Sequence, residues 1–275
     1  MENPKSSPRV KVLVPHLIER KNSSQVLTMV TAYDSTFASI VDEAGVDLIL
    51  VGDSVATVMQ RQKTTLCVSM EHMEYHIQIV ASVKPKALIV GDLPFGSYQA
   101  SAKDAVRNAV RLIKAGAEIV KLEGGVHVQE AIEAIVRADI PVMGHIGLTP
   151  QSYHRMGGNK VQGRDEGTQS GSRDRILADA RAVEDAGVCS FVIEAVPAEL
   201  ATEITTNAHV PTIGIGAGVN CVGQVLVLHD LLGLSERSFT FAKAYNNLRQ
   251  LSLTAVSEYV SDVQNRRLPD YTTIF

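Results

Sequence analysis

The chain lacks the features that mark membrane and nucleic-acid-binding proteins. No apolar run in its 275 residues approaches the roughly 18 residues of a membrane helix, so we expect no membrane partner. Basic residues are not in excess, because 26 Lys and Arg stand against 30 Asp and Glu, for a net charge of −4. No basic stripe is visible either, which argues against nucleic acid as a partner.

Secretion signals and a disulfide framework are also missing. The first 24 residues contain no apolar stretch of the kind that signal peptides need, although their Ser and Lys content leaves a transit peptide open. The three cysteines, Cys67, Cys189 and Cys221, are widely separated and fit no zinc motif. An odd number of cysteines without a signal indicates a reducing compartment. We therefore predict a cytoplasmic protein with three packed thiols.

What the chain does contain is a repeated alternation of strand-like and helix-like segments. The strand-like runs are rich in β-branched residues and nearly continuously apolar, which is typical of parallel strands buried on both faces. Three of the helical stretches between them end in Ala-Gly, at 44–45, 115–116 and 186–187. The runs cover residues 26–34, 46–54, 87–95, 118–125, 140–148, 190–197, 211–218 and, as a candidate, 224–232.

This alternation predicts an α/β fold, a single (β/α)8 TIM barrel domain over residues 1–275 with N- and C-terminal helical extensions. The eighth strand is the weak point of this prediction. Only about six residues separate it from the seventh run, which is too few for a crossover helix. Residues 224–232 could themselves be helical. Residues 149–171 are Gly-rich and polar and form either a lid or a disordered insertion. Residues 238–267 should form helices that pack outside the barrel or against another subunit.

Charged side chains follow five neighbouring strands, at the end where barrel enzymes build their active sites. Lys121 and Glu123 are alternate residues and should therefore point the same way. The candidate residues at the strand ends are Asp53 and Ser54 after the second strand, Asp92 after the third, Lys121 and Glu123 after the fourth, His145 after the fifth, and Glu194 after the sixth.

Each acid alone could cap a helix or pair with a base, but the set together suggests a metal site. Four acids facing one Lys repel each other unless a cation joins them, and carboxylates suit Mg²⁺. Asp53, Asp92 and Glu123 could share one ion, Lys121 could hold an anionic substrate, and Glu194, farther round the rim, is left free as a general base. His145 either orients the substrate or makes a structural hydrogen bond. A metal beside a free carboxylate favours carbon–carbon bond chemistry through an enolate.

Eight segments in order resemble the ketopantoate hydroxymethyltransferase family: "VTAYD", "LVGDS", "GDLPF", "VKLEGG", "GHIGLTPQS", "KVQGR", "VIEAVP" and "IGIGAG". The resemblance runs from about residue 10 to the C-terminus. It implies a barrel like those of phosphoenolpyruvate mutase and isocitrate lyase. It also implies transfer of a hydroxymethyl group from 5,10-methylenetetrahydrofolate to 3-methyl-2-oxobutanoate through a metal-stabilised enolate. The product would be 2-dehydropantoate, on the route to pantothenate and coenzyme A.

The resemblance also implies a role for each matching residue. Asp53, Asp92 and Glu123 would bind Mg²⁺, and Glu194 would accept the proton. The oxo acid would be bound by Asp53, Ser54, Asp92 and Lys121. The family forms homo-oligomers, typically decamers, and we expect the same here.

Two departures from the family pattern leave alternatives open. Ala56 stands where the family usually has Gly, which predicts crowding if that loop needs a positive φ, and Val222 replaces an Asp. The 55–65 loop thus motivates an inactive paralogue kept as a binding partner. A second alternative is another Mg²⁺-dependent lyase or aldolase of the same superfamily acting on a different 2-oxo acid. A third is a Schiff-base aldolase with Lys121 as nucleophile.

Overall fold

The computed structural model describes residues 9–23, 25–167, 171–236 and 242–269. The chain divides into two compact units, Met1–Val227 and Leu228–Phe275. The first unit contains the barrel, and the described part of the second contains two helices. The single-domain boundary of 1–275 stays a prediction.

The first unit is a closed eight-stranded parallel barrel, as the sequence predicts. Each strand pairs with the next along the chain, and the last pairs with the first. The first seven predicted runs each contain a strand that is shorter than the run, and the eighth strand begins one residue before its run. The strands are β1 Leu27–Thr31, β2 Leu48–Val51, β3 Leu88–Asp92, β4 Ile119–Lys121, β5 Val142–Gly147, β6 Ser190–Glu194, β7 Thr212–Ile215 and β8 Gly223–Leu226.

Helices precede and connect these strands, and several end as predicted. At the end of the helix Ala102–Ala115, Gly116 adopts a left-handed φ of 118° that an L side chain rarely adopts, which explains the Ala-Gly stop. The helices are α1 Val14–Lys21, α2 Ser35–Glu43, α3 Val55–Val58, α4 Met70–Ser82, α5 Ala102–Ala115, α6 Gln129–Arg137, α7 Tyr153–Met156, α8 Arg173–Asp185 and α9 Ala198–Asn207. Short 3-10 turns lie at Val126–Val128 and Pro150–Ser152.

The connection from β7 to β8 resolves the weak point of the prediction. Residues 216–222 join the two parallel strands with no helix between them. A chain spans about 3.3–3.6 Å per residue, so this segment reaches about 23–25 Å. A four-residue strand is only about 13 Å long, so the loop can return along it and enter β8 in parallel. The candidate run 224–232 is thus a strand to Leu226 followed by a short helix.

Apolar side chains fill the barrel interior and close the end where its strands begin. Leu17 of α1 is fully buried in the same cluster as Leu27, Leu48 and Leu88, which lie at the starts of β1, β2 and β3. Helix α1 therefore seals this end of the barrel. The opposite end, where the strands finish, carries the buried charged residues.

The second unit contains α10 Leu228–Leu231 and α11 Leu248–Gln264. Helix α11 has no buried residue and exposes large apolar side chains, including Leu251, Val256 and Tyr259. A helix in 238–267 is thus confirmed from Leu248 onward, whereas 238–241 lie outside the described residues. Packing of this helix outside the barrel or on another subunit stays a prediction. Within the described ranges, no helix is both long and apolar enough to span a bilayer.

The thiols are free, but they are not all packed. Cys221 is buried and Cys189 is partly buried, and burial raises the pKa of Cys189 to about 11. Cys67 is exposed in the segment before α4, so the prediction of three packed thiols is wrong at this residue. The reason is local, because Cys67 lies outside the strands and helices whose faces are buried.

Candidate active site

The ends of β2 to β6 bring the predicted residues together in one buried polar cluster. Asp53, Asp92, Lys121, Glu123 and His145 are each no more than 5% exposed. The Glu194 side chain is 16% exposed and lies at the edge of this cluster.

Asp92 and Lys121 form the central ion pair. They are register partners at the ends of β3 and β4, so their side chains project side by side. The Lys121 Nζ lies 2.6 Å from Asp92 Oδ1, and both side chains are almost fully buried. The other Asp92 oxygen accepts a hydrogen bond of 3.0 Å from the backbone N–H of Asp53, which links the exits of β2 and β3.

His145 connects the remaining two acids. Its Nδ1 lies 3.4 Å from Glu123 Oε1, and its Nε2 lies 3.2 Å from Glu194 Oε2. His145 pairs with Val192 in the β5–β6 register, so Glu194, two residues on, points to the same face. Glu194 therefore lies beside a histidine and apart from the acids around Lys121, and its role as general base stays a prediction.

Gln151 is a site residue that the sequence reasoning missed. It lies in the 3-10 turn after β5, within the Gly-rich segment 149–171. Its backbone N–H donates to Glu123 Oε2 at 2.9 Å, and its side-chain Nε2 donates to Asp53 Oδ2 at 3.0 Å. The only sequence signal was its position in the segment "GHIGLTPQS", where nothing in the residue type points to this contact.

Ser54 and the loop after β2 are shaped by close packing. The Ser54 Oγ lies 2.8 Å from the hydroxyl of Tyr33, whose pKa burial raises above its ordinary value. A Cβ at Gly52 would come within 2.8 Å of Ser54 Oγ and 3.3 Å of Asp92 Oδ2, so the turn requires glycine there. Ala56 lies inside α3 with a negative φ, so the expected crowding at this position does not occur.

Three acids near Lys121 would together carry more negative charge than it can neutralise, and their pKa values reflect this crowding. Burial raises the pKa of Asp53 well above its usual value, and the Glu123 and Asp92 carboxylates raise it further. Burial also raises the pKa of Asp92, although Lys121 offsets part of the effect. The pKa of Lys121 is itself raised, because the three carboxylates outweigh the opposing effect of burial. The cluster would therefore gain stability from an added cation.

The other half of the cluster is balanced by His145. Burial alone would raise the pKa of Glu123, but the hydrogen bond and charge of His145, together with Lys121, hold it below its usual value. Burial and Lys121 lower the pKa of His145, yet its hydrogen bonds to Glu123 and Glu194 raise it overall to about 9. Near neutral pH the protonated imidazole thus places a positive charge between the two glutamates.

The donor set suits a hard divalent cation, although the carboxylates are engaged otherwise. Among the residues described, no three His, Cys, Asp or Glu side chains are arranged as a metal site. The carboxylate oxygens of Asp92, Glu123 and Asp53 instead contact Lys121, His145 and Gln151, respectively. Three buried carboxylates with surplus negative charge are nevertheless the ligand type that Mg²⁺ takes, and Mg²⁺ usually needs only one or two of them because it keeps several waters.

Comparison with known proteins gives consistent matches over almost the whole chain. The profile of the family described as ketopantoate hydroxymethyltransferase matches residues 11–271. The protein named 3-methyl-2-oxobutanoate hydroxymethyltransferase in Pelobacter propionicus is 49% identical over 266 residues, which cover 96% of this chain and 97% of that one. The protein of the same name in Ignicoccus hospitalis is 50% identical over 259 residues, or 94% and 97% of the two chains.

Solved structures share the fold at much lower identity. A phosphonopyruvate hydrolase, described in complex with oxalate and Mg++, superposes with a TM-score of 0.61 at 15% identity, covering 96% of this chain and 92% of that one. A 2,3-dimethylmalate lyase, described as a member of the PEP mutase/isocitrate lyase superfamily, gives a TM-score of 0.59 at 14% identity, covering 94% and 89%. The predicted barrel class is confirmed.

Proposed function

Because the chain belongs to the ketopantoate hydroxymethyltransferase family, we propose that it transfers a hydroxymethyl group to 3-methyl-2-oxobutanoate to give 2-dehydropantoate. The observation that carries the proposal is the separation of the four acids into two groups. Asp53, Asp92 and Glu123 are buried around Lys121, whereas Glu194 is more exposed and is held by His145. One group is suited to bind an oxo acid and a cation, and the other to accept a proton.

Lys121 and Ser54 are the residues we assign to the anionic end of the oxo acid. The Lys121 ammonium has three donors, and Asp92 accepts from one of them. The Ser54 hydroxyl lies beside Asp53 and is positioned by the Tyr33 hydroxyl. Asp53 and Asp92 border the same space, so they would contact the bound substrate as well.

Glu194 is the residue we assign as general base. Removing the proton at C3 of the oxo acid requires a carboxylate that the substrate can reach. Glu194 lies at the cluster edge, and His145 fixes its orientation through Oε2 at 3.2 Å, so its other oxygen is available to the substrate. The abstracted proton would therefore pass to a carboxylate oxygen of Glu194.

Asp53, Asp92 and Glu123 are the residues that would hold a divalent cation. When bound there, Mg²⁺ would polarise the carbonyl of the oxo acid and stabilise the enolate formed next to it. We choose Mg²⁺ because the carboxylate ligands suit it and because a protein of the same fold is described with oxalate and Mg++. The one-carbon donor we propose is 5,10-methylenetetrahydrofolate, in a step towards pantothenate.

We also propose that the protein is a cytoplasmic homo-oligomer. The exposed apolar side chains of α11 support self-association, and the free, exposed thiol of Cys67 supports a reducing compartment. Light scattering after gel filtration should give about ten times the 29.6 kDa chain mass if the assembly is a decamer. A monomer would refute this part of the proposal.

Proton exchange tests the proposed reaction in two stages. NMR in D₂O should show loss of the C3 proton of 3-methyl-2-oxobutanoate, with Mg²⁺ and without folate, and much slower loss in EDTA. Adding 5,10-methylenetetrahydrofolate should then yield 2-dehydropantoate. Exchange without product formation would refute the donor, whereas no exchange with Mg²⁺ or Mn²⁺ would refute the substrate and favour another 2-oxo acid.

A further inference from the structure

Gln151 is held in the cluster by an unusually complete set of hydrogen bonds. It is only 5% exposed. Its Nε2 donates to Asp53 Oδ2 and to the carbonyl oxygen of Leu93, both at 3.0 Å. Its Oε1 accepts from the Tyr98 hydroxyl at 2.6 Å and from Gln99 Nε2 at 3.3 Å. Both amide protons and both acceptor positions are therefore used.

These partners fix which way the amide points. If the amide were flipped, its oxygen would face the Asp53 carboxylate and the Leu93 carbonyl, and its NH₂ would face the Gln99 amide donor. That arrangement would set acceptor against acceptor and donor against donor. The side chain therefore has one orientation, with its donors towards Asp53.

Gln151 also joins two acids that come from strands that are not neighbours. Asp53 follows β2 and Glu123 follows β4, and the side chain and the backbone N–H of Gln151 bind one of them each. Asp92, on the strand between, is positioned separately by Lys121 and the Asp53 N–H. One residue of the segment after β5 thus bridges the Asp53 and Glu123 carboxylates.

We propose that Gln151 is a positioning residue that holds Asp53 relative to Glu123, so that the two carboxylates can bind a divalent cation together. Gln151 does not contact the reacting atoms and acts through these two acids. The inference rests on the proposed function, because it assumes that the acids bind a cation. It adds a residue from the segment 149–171 to a site otherwise built from strand ends.

The two contacts can be separated by mutation. Gln151→Met keeps the length of the side chain but removes its donors and acceptor, while the backbone N–H to Glu123 remains. Gln151→Asn keeps the amide on a shorter side chain that cannot reach Asp53 in the same way. Gln99→Ala is the matched control, because Gln99 is exposed and contacts the same Oε1 but none of the acids.

Mn²⁺ binding to the full-length protein, measured by electron paramagnetic resonance, is the test. We expect Gln151→Met to weaken Mn²⁺ binding by about 10- to 100-fold, as is usual when a partner of a ligating residue is lost. Gln151→Asn should show a smaller loss, and Gln99→Ala should stay within about twofold of the wild type, as exposed substitutions usually do. Binding is measured well below the melting temperature of every variant, so a loss of stability alone would not change the affinity.

The outcomes distinguish the inference from the function on which it rests. Wild-type protein that binds Mn²⁺, with both Gln151 variants unchanged, would overturn the role of Gln151 and leave the proposed function standing. Wild-type protein that binds no Mn²⁺ would overturn both. If Gln151→Met does not fold, the affinity of Gln151→Asn decides, and a wild-type value there refutes the inference.

Discussion

Replacing Glu194 by Gln tests the proposed base with little change in shape. The amide oxygen of Gln can take the place of Glu194 Oε2, which lies 3.2 Å from His145 Nε2. The side chain therefore keeps its length and its partner. What it loses is the negative charge and the ability to take up a proton.

The expected effect on rate is much larger than the effect on stability. A hydrogen bond to a charged acceptor contributes about 1.5–3 kcal/mol and a neutral one about 0.5–1.5, so the substitution should destabilise the fold by about 1 kcal/mol. Loss of a general base slows a reaction by about 10²- to 10⁴-fold. At about 1.36 kcal/mol per factor of ten, this raises the barrier by about 2.7–5.4 kcal/mol.

Deuterium exchange at C3 of 3-methyl-2-oxobutanoate in the presence of Mg²⁺ measures this barrier without the folate step. In Glu194→Gln the exchange should be slower by about 10²- to 10⁴-fold, while the Mg²⁺ affinity stays close to that of the wild type. Glu199→Gln is the matched control, because Glu199 is exposed in the first turn of α9 and should exchange normally. An exchange rate in Glu194→Gln within a factor of a few of the wild type would remove Glu194 from the role of base.

Three further substitutions separate binding from stability. Asp92→Ala should lose affinity for Mg²⁺ and for the oxo acid together in calorimetric titrations, since Asp92 contacts both Lys121 and the Asp53 N–H. The loss should exceed the roughly 10- to 100-fold that is typical when a residue that only hydrogen-bonds to a metal ligand is removed. Lys121→Met should raise KM for the oxo acid. In urea with EDTA present, it should also lower the free energy of unfolding by about 3–5 kcal/mol, because it breaks a buried ion pair. Borohydride trapping of substrate on the wild-type protein would instead favour a Schiff base on Lys121. Leu17→Ala should cost about 2–5 kcal/mol in the same urea experiment, with kcat unchanged, because Leu17 only fills the far end of the barrel.

The strand exits were predictable because two simple rules locate them. Buried parallel strands are continuous apolar runs, and alternate residues share a face, so Lys121 and Glu123 had to point the same way. Strands can end before the predicted runs do because backbone groups beyond them form hydrogen bonds outside the sheet. The Glu123 N–H, for example, donates to the Tyr98 hydroxyl at 3.1 Å rather than to a strand, and β4 stops at Lys121 although the predicted run extends to Gly125.

The connection between β7 and β8 shows where a general rule is too strict. Parallel strands usually need a crossover of a dozen residues or more, which made the eighth strand doubtful. Here both strands are only four residues long, so a short loop can return along them. Gly214 allows this loop to pass closely, because a Cβ there would lie 2.9 Å from Cys221 Sγ. Such a fit depends on three-dimensional spacing that no periodic pattern carries.

The loop partner of the acids, Gln151, lay beyond sequence reasoning for a related cause. Gln151 is 28 residues from Glu123 and 98 residues from Asp53 along the chain, and it lies in a segment with neither helical nor strand periodicity. The register that places a strand-end carboxylate says nothing about how such a segment folds back. Strand ends therefore predict where the chemistry occurs, whereas the loops decide how the carboxylates are spaced and partnered. If spacing governs cation binding, as we infer for Gln151, then barrels with the same acids at the same strand ends can differ in chemistry through their loops alone.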